Sequence, residues 1–249
     1  MKTAIVAVAG TSSRFNENEK NEVLKGIYTV SDERKTLLYS ILKKCRGMDK
    51  VVLVGGYRYE DLEQYVRRYR EEFPFLIQVV YNPYFKEFGT GYTLKLGLEA
   101  CLKEPDCGEI ILIEGDLFFD EVSFQQVKAS RHSAATYNAQ PIDSRKAVIA
   151  YVNQENALKY IFSTNHGAVE IKEPFLKIYN SGQIWKFADT GRVKQLMQEL
   201  PEEAWEGTNL RFIEAYFSEI KETEREMIAL ENWENCNTRL DYLKYMEQL

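Results

Sequence analysis

Ile5-Val6-Ala7-Val8-Ala9-Gly10-Thr11-Ser12-Ser13-Arg14-Phe15 decides how the rest of the chain is read. The run from Ile5 to Ala9 is apolar and partly β-branched, with a glycine directly after it. It reads as a buried parallel strand breaking into a loop. Ala9, Gly10, Thr11, Ser12 and Ser13 are all small, so backbone N–H groups and hydroxyls can face an anion with no bulky side chain in the way. Arg14 sets a permanent, forked cation at the far end of that loop. The plainer alternative is a tight turn followed by a surface arginine.

Outward from this stretch, strands and helices alternate. Apolar spacing predicts a helix over 36–45, with Leu37, Leu38, Ile41 and Leu42 on one face. A buried strand at 51–54 follows, then a helix over 60–70 that points Leu62, Tyr65, Val66 and Tyr69 inward and Arg67, Arg68 and Arg70 towards solvent. Strands at 76–81 and 109–113 bracket a helix over 92–102. This order implies right-handed crossovers and a mostly parallel, Rossmann-like α/β sheet covered on both faces. Beyond residue 130 the pattern changes. Residues 147–152 and 157–162 flank Asn153-Gln154-Glu155-Asn156 as a hairpin, 178–187 is a strand, and helices are expected over 189–200, 206–220 and 239–248. No repeat or linker interrupts the chain. We expect one domain over 1–249, with a first half (1–130) built on the loop and a small α+β lobe (131–249) over the sheet's carboxyl edge.

With 249 residues, 45% of them hydrophobic, the chain can bury a full core. A formal net charge of −6 and a pI near 5.3 argue against a nucleic-acid backbone as partner, so any phosphate-binding cations have to be placed locally. No apolar run approaches membrane-spanning length, and the N-terminus reads as a strand, not a signal-peptide core. Cys45, Cys101, Cys107 and Cys236 form no C-x-x-C pair, which points to reduced thiols in a cytoplasmic protein. With only His132 and His166, a histidine zinc site or a serine–histidine triad has little support.

Ligands of an open parallel sheet bind beyond the carboxyl ends of its strands. Three polar sites fall at such ends: Gly10 to Arg14, Gly89-Thr90-Gly91, and Gly115-Asp116. Asp116 follows the most apolar strand, behind a glycine that clears space, and a carboxylate there suits Mg²⁺, which takes few carboxylates with waters and phosphate oxygens. Its alternative role is a helix or turn cap. Asp120 is expected to cap the next helix. Two glycines around Thr90 at a helix start let a flat ring approach the backbone and leave N–H groups free; a plain N-cap by Thr90 is the other reading. Trp205, Phe212, Glu214 and Trp233 are candidates to wall an acceptor pocket, or else belong to the core.

These segments together resemble the nucleotidyltransferases that activate sugar phosphates and phosphocholine, over nearly the whole chain. The opening A-G-x-G-[ST]-R-[FLM] signature is similar to Ala9-Gly10-Thr11-Ser12-Ser13-Arg14-Phe15, and its downstream lysine to Lys25 in Leu24-Lys25-Gly26-Ile27. Ser12 replaces the second glycine and Leu24 the usual proline. Gly89-Thr90-Gly91 resembles the segment lining the nucleobase pocket. Gly115-Asp116 resembles the metal-holding strand end. Trp233-Glu234-Asn235-Cys236-Asn237-Thr238 resembles the segment completing the metal site, with Asn237 where aspartate is usual. Asn237 is alternatively the N-cap of the last helix. Asn180-Ser181-Gly182-Gln183-Ile184-Trp185 resembles the strand whose Ser-Gly corner faces the acceptor, and Lys172 resembles a phosphate-touching lysine.

The resemblance implies an enzyme that joins an NTP to a small phosphorylated acceptor and releases pyrophosphate. Arg14, Lys25 and Asp116 would be catalytic, and Mg²⁺ would sit on Asp116 and Asn237. Ala9 to Ser13, Gly89, Thr90 and Gly115 would hold the nucleotide, and Ser181, Gly182, Trp185, Glu214 and Lys172 the acceptor. CTP ahead of UTP is the expected donor, with a phosphocholine-like acceptor or a sugar phosphate. Acids among Trp185, Trp205 and Trp233 favour the former, and Lys172 and Lys186 the latter. No nucleic acid or membrane partner is expected, and homo-oligomerisation is left open. Two other classes stay open: a nucleotide-binding regulatory or degenerate relative, and a glycosyltransferase of similar fold, against which the missing D-x-D counts.

Overall fold

The structure, a computed structural model, describes residues 1–143, 147–162 and 169–249, so His166 lies outside the described residues. Its first half runs β1 (Lys2–Val8), α1 (Leu37–Lys44), β2 (Lys50–Gly55), α2 (Tyr59–Tyr69), β3 (Leu76–Tyr81), α3 (Thr90–Leu102), β4 (Glu109–Glu114), β5 (Leu117–Phe119) and α4 (Glu121–Ala129). The second half continues with β6 (Ser133–Asn138), β7 (Ile149–Asn153), β8 (Leu158–Tyr160), β9 (Phe175–Phe187), α5 (Thr190–Glu199), α6 (Leu210–Ser218), β10 (Arg225–Leu230), β11 (Trp233–Asn235) and α7 (Arg239–Tyr245).

The main sheet draws on both halves, in the order β10-β6-β9-β4-β1-β2-β3. β1 pairs parallel with β2 and β4, β2 with β3, and β6 with β10. β9 alone on this path is antiparallel, between β4 and β6. The β7–β8 hairpin joins through β7, which pairs antiparallel with the first part of β9. The fold is the mostly parallel α/β class that the alternation of strands and helices predicts.

Period-two alternation explains the two cores. Ala4, Val6, Val51, Leu53, Ile111 and Ile113 face α1, α2 and α4 on one side of the sheet. Ile5, Val52, Val54, Ile110 and Leu112 face α3, α5 and α6 on the other. Near-continuous apolar strands are what a sheet covered on both faces requires. A third, smaller cluster gathers Phe15, Leu37, Phe118, Cys236, Tyr242 and Tyr245. In it the Phe15 and Tyr242 rings each meet Tyr28 edge-on, with centroids 5.1 Å apart. These three rings come from the loop after β1, the segment after Lys25, and α7.

Four strands escape the sequence pattern: the short β5 and β11, and β6 and β10. β6 reads Ser-Ala-Ala-Thr-Tyr-Asn, with no large aliphatic residue, and is a strand because β9 and β10 flank it. β10 opens with Arg225-Glu226 at the end of a charged run that hides its apolar end. The helix expected over 206–220 begins only at Leu210, because 206–207 serves α3 instead. There the Glu206 and Gly207 carbonyls accept the N–H groups of Gly89 and Gly91 at 3.1 and 2.9 Å.

Candidate functional site

The loop after β1 crosses the carboxyl edge of the sheet with Ser12 in the left-handed region, at φ +56°. A β-carbon there costs about 1–2 kcal/mol, which is why glycine suits the position. Serine brings a compensation that glycine lacks: its Oγ accepts the backbone N–H of Lys25 at 3.2 Å. The hydroxyl thereby ties the loop to the short 3₁₀ turn Lys25–Ile27 that carries the lysine.

From this turn Lys25 Nζ donates to Asp116 Oδ2 at 2.6 Å, with both side chains roughly four-fifths buried. Asp116 caps nothing; it stands just past β4, where Gly115 N–H donates to Ala7 O at 2.9 Å. A β-carbon on Gly115 would lie 2.3 Å from Val8 Cγ1 and 2.5 Å from Ala7 O, so only glycine fits this approach. The two-stranded β5–β11 sheet then brings in the C-terminal segment, with Cys236 N–H donating to Asp116 O at 2.8 Å. Next to it, Asn237 Oδ1 accepts from Arg14 Nη2 at 2.7 Å. Asn237 is not the N-cap of α7. Thr238 takes that role in a capping box with Asp241, and Asp120 caps α4 as expected.

Glu114, the last residue of β4, has no assigned role in the sequence reading. Burial, reinforced by the charge of Asp116 beside it, pushes its carboxyl up to about 7, against a hydrogen bond from Asn209 Nδ2 at 2.6 Å. An acid closing the apolar run Ile110–Ile113 was the available signal. Asn209 N–H in turn donates to Thr90 Oγ1 at 3.0 Å. Thr90 is the first residue of α3, with Gly89 at the N-cap position. The N–H groups of Gly89 and Gly91 are not free, being taken by the Glu206 and Gly207 carbonyls. A β-carbon on Gly89 would lie 2.4 Å from Gly207 O, so this glycine serves a chain crossing and not a ring's approach.

Three cavities follow one another along this edge. One of about 130 Å³ is lined by Gly10, Ser12, Lys25, Thr90, Glu114 and Asp116, among others. The next, of about 180 Å³, shares Gly10, Ser12 and Lys25 with it and adds Thr11, Ser13, Arg14 and Asn237. A third, of about 350 Å³, shares Arg14 and Asn237 and continues between Gln140, Asn180, Trp233 and Asn235. Asp116 and Asn237 offer the hard oxygen donors Mg²⁺ prefers, and that ion takes one or two carboxylates and fills its shell with water and phosphate. Among the described residues no group of three His, Cys, Asp or Glu comes together as a metal cage.

The residues expected to hold the acceptor fare differently. Trp185 and Trp205 are each 1% exposed within the core, Trp185 donating Nε1–H to Tyr160 Oη at 2.7 Å. Glu214 accepts the Tyr160 N–H at 2.6 Å, and Lys159 lies 3.8 Å away, so it serves β8 and lines none of the three cavities. Lys172 is exposed, 4.0 Å from Glu170. Lys186 is fully buried, 2.9 Å from Glu109 Oε2 and donating to Ser130 O at 2.6 Å. Ser181 is sealed, with its Oγ accepting the Gln183 N–H. Gly182 packs against Thr136 and Leu230, and its carbonyl accepts Trp233 Nε1–H at 2.8 Å. For Trp185 and Trp205 the aromatic-cage expectation is thereby corrected: apolar volume placed these rings in the core. Trp233 does line the third cavity, beside Asn180, Gln140 and Asn235, amides without a distinctive pattern in sequence.

The chain belongs to the family described as Domain of unknown function (DUF6564), whose model matches residues 21–249. No curated protein matches it in sequence. Among solved structures, it is similar to a candidate glucose-1-phosphate thymidylyltransferase from Bacillus anthracis in complex with sucrose, at 15% identity and a TM-score of 0.72, covering 100% of this chain and 95% of that one. The inositol-1-phosphate CTP transferase from T. maritima aligns at 18% identity and a TM-score of 0.66, over 100% and 96% of the two chains. The CTP:phosphocholine cytidylyltransferase from Streptococcus pneumoniae aligns at 14% and 0.65, over 99% and 98%. At these identities the likeness establishes a shared fold.

Proposed function

We propose that this member of the DUF6564 family is a nucleotidyltransferase that joins an NTP to a small phosphorylated acceptor and releases pyrophosphate. The observation that carries the reading is the meeting of Arg14, Lys25, Asp116 and Asn237. Four separate segments deliver two cations, a carboxylate and an amide to one edge of the sheet, around a loop of small residues. Structural neighbours described as CTP transferases and a thymidylyltransferase support it.

In this reading an acceptor phosphate oxygen attacks the α-phosphorus. The new P–O bond forms as the bond to the β-phosphate oxygen breaks, and the electron pair leaves with pyrophosphate. A phosphate needs no strong base, so catalysis is positioning and charge stabilisation. Arg14 and the 10–13 loop hold the β- and γ-phosphates. Lys25, freed from its pair with Asp116, neutralises charge at the α-phosphate and on the departing pyrophosphate. Asp116 and Asn237 would hold Mg²⁺, which would further neutralise charge on the phosphates. CTP or UTP is the proposed donor. The four buried, unpaired cysteines suit a reducing compartment such as the cytoplasm.

The test is pyrophosphate release from the four NTPs, each with phosphocholine and several sugar phosphates, with and without Mg²⁺. Asp116→Asn should lower turnover by at least about a hundredfold, the loss of a few kcal/mol of charge stabilisation. Near-wild-type turnover in a folded variant refutes the assignment, and turnover confined to purine nucleotides refutes the donor.

A further inference from the structure

We infer that the acceptor is a hydroxyl-rich phosphate, a sugar or alditol phosphate, and not a choline-type cation, because two residues lining the cavity beyond Arg14 and Asn237, Asn180 and Asn235, carry amide oxygens that lack donors. The inference rests on the nucleotidyltransferase reading and names its substrate class.

Asn180 and Asn235 both line the cavity of about 350 Å³, and each carries a buried Oδ1 with no hydrogen-bond partner. Asn180 is only 7% exposed. Its Nδ2 lies 3.5 Å from the backbone carbonyl of Gln140, an acceptor only, which fixes which way the amide faces. Asn235 Nδ2 donates to Gln183 Oε1 at 3.4 Å. A buried acceptor left unmade costs about 1–3 kcal/mol, so two in one wall mark a place where a ligand supplies donors. Hydroxyl groups supply them. A quaternary ammonium has no N–H or O–H to give.

The features that would favour a cation are engaged elsewhere. Glu234 accepts from Lys244 Nζ and Tyr245 Oη, each at 3.3 Å. Asp241 Oδ2 accepts both the N–H and the hydroxyl of Thr238 at 2.8 Å, and Asp143 has a partner of its own. Trp233 is the one aromatic residue in the wall among the described residues, and its indole is 7% exposed, with Nε1–H given to Gly182 O. One buried ring makes no cage. The cavity opens beside Arg14 and Asn237, on the side of the nucleotide loop, so an acceptor whose phosphate faces the nucleotide sets its hydroxyls against Asn180 and Asn235.

The experiment is calorimetric titration of the full chain with ribitol 5-phosphate, glucose 1-phosphate, phosphocholine and phosphoethanolamine, with and without a non-hydrolysable CTP analogue. A hydroxylated phosphate should bind at least tenfold tighter than phosphocholine. Asn180→Leu and the milder Asn180→Ser should each remove at least tenfold of that binding and leave phosphocholine unchanged. Equal or tighter binding of phosphocholine overturns the inference, as does absence of binding by all four, or Asn180 variants that lose nothing. Binding of the nucleotide analogue is read separately. Its retention alongside a choline preference sinks only the acceptor class, whereas its loss with hydroxylated ligands still bound sinks the nucleotidyltransferase reading.

Discussion

Gly10 and Gly115 flank the same cavity, and the structure assigns them opposite jobs, which a pair of alanine substitutions separates. At Gly115 an added β-carbon lies 2.3 Å from Val8 Cγ1 and 2.5 Å from Ala7 O. Val8 can turn, but a backbone carbonyl inside the sheet cannot, so β4 has to part from β1 at its exit. Overpacking of this kind costs about 1–3 kcal/mol, and the backbone partner puts Gly115→Ala at the upper end. For a chain of this size about 3 kcal/mol is a loss of roughly 6–12 °C in Tm. At Gly10 nothing lies within 4 Å of the added carbon. Gly10→Ala should therefore hold Tm within about 2 °C, or raise it slightly by restricting the unfolded chain. If phosphates approach the loop backbone, that methyl group meets them, and nucleotide affinity should fall at least tenfold. The assays are urea or thermal unfolding without ligand, and calorimetric NTP binding. A Gly10→Ala protein that binds NTP normally refutes a phosphate at this loop. A Gly115→Ala protein with unchanged stability refutes the close strand exit.

Three further outcomes are expected. Lys25→Met and Asp116→Asn should show a coupling of about 1–3 kcal/mol in a double-mutant unfolding cycle without Mg²⁺, and simple additivity means the ion pair does not form. Arg14→Ala should lower kcat/KM at least tenfold with Tm within a few degrees, since its partner Asn237 keeps its backbone anchoring; a large stability loss at normal turnover assigns Arg14 to the fold. Burial beside Phe118 and Phe119 lowers the Lys44 ammonium to about 8, below its ordinary 10.5, so its cost to folding is full below pH 8 and fades as pH rises to 10.5. Lys44→Met should stabilise by roughly 1 kcal/mol at pH 7. The difference from wild type should close across that window, and a pH-independent difference removes the buried-ammonium argument.

The sequence carried the first half of the sheet well because β1, β2 and β4 are buried on both faces and read as unbroken apolar runs. Arg14, Lys25, Asp116 and Asn237 are named through the family resemblance, and the structure brings the four together at one edge of the sheet. The sequence pattern missed β6 and β10, whose strand character comes from neighbours instead of composition. The lining of the third cavity was misread for a related reason. Trp185 and Trp205 look like recognition residues in one dimension, yet their volume fills the core, while Asn180 and Asn235 look like ordinary polar positions. Only placement reveals that their oxygens are buried without donors. Ser12 is the converse case. As a letter it weakens the loop signature; as a residue at φ +56° whose hydroxyl holds the Lys25 N–H, it does glycine's work and adds a tie.

That tie belongs to a wider arrangement. Arg14 precedes Phe15, Lys25 precedes Tyr28 by three residues, and Asn237 precedes Tyr242 by five. The Phe15 and Tyr242 rings meet at Tyr28, each 5.1 Å from it, and Tyr242 Oη donates to Lys35 O at 2.7 Å. The guanidinium of Arg239 sits 4.7 Å over the Tyr28 ring. Three of the four polar groups at the site are thus set on backbone pinned by one aromatic contact beneath them, while Asp116 is set by the β4 exit. The small C-terminal helix, too short to be stable alone, is held by this contact and by its capping box. Its position fixes Asn237, and through the hydrogen bond to Arg14 the far end of the loop after β1. The site's precision therefore comes from a satellite core that the sheet itself does not supply.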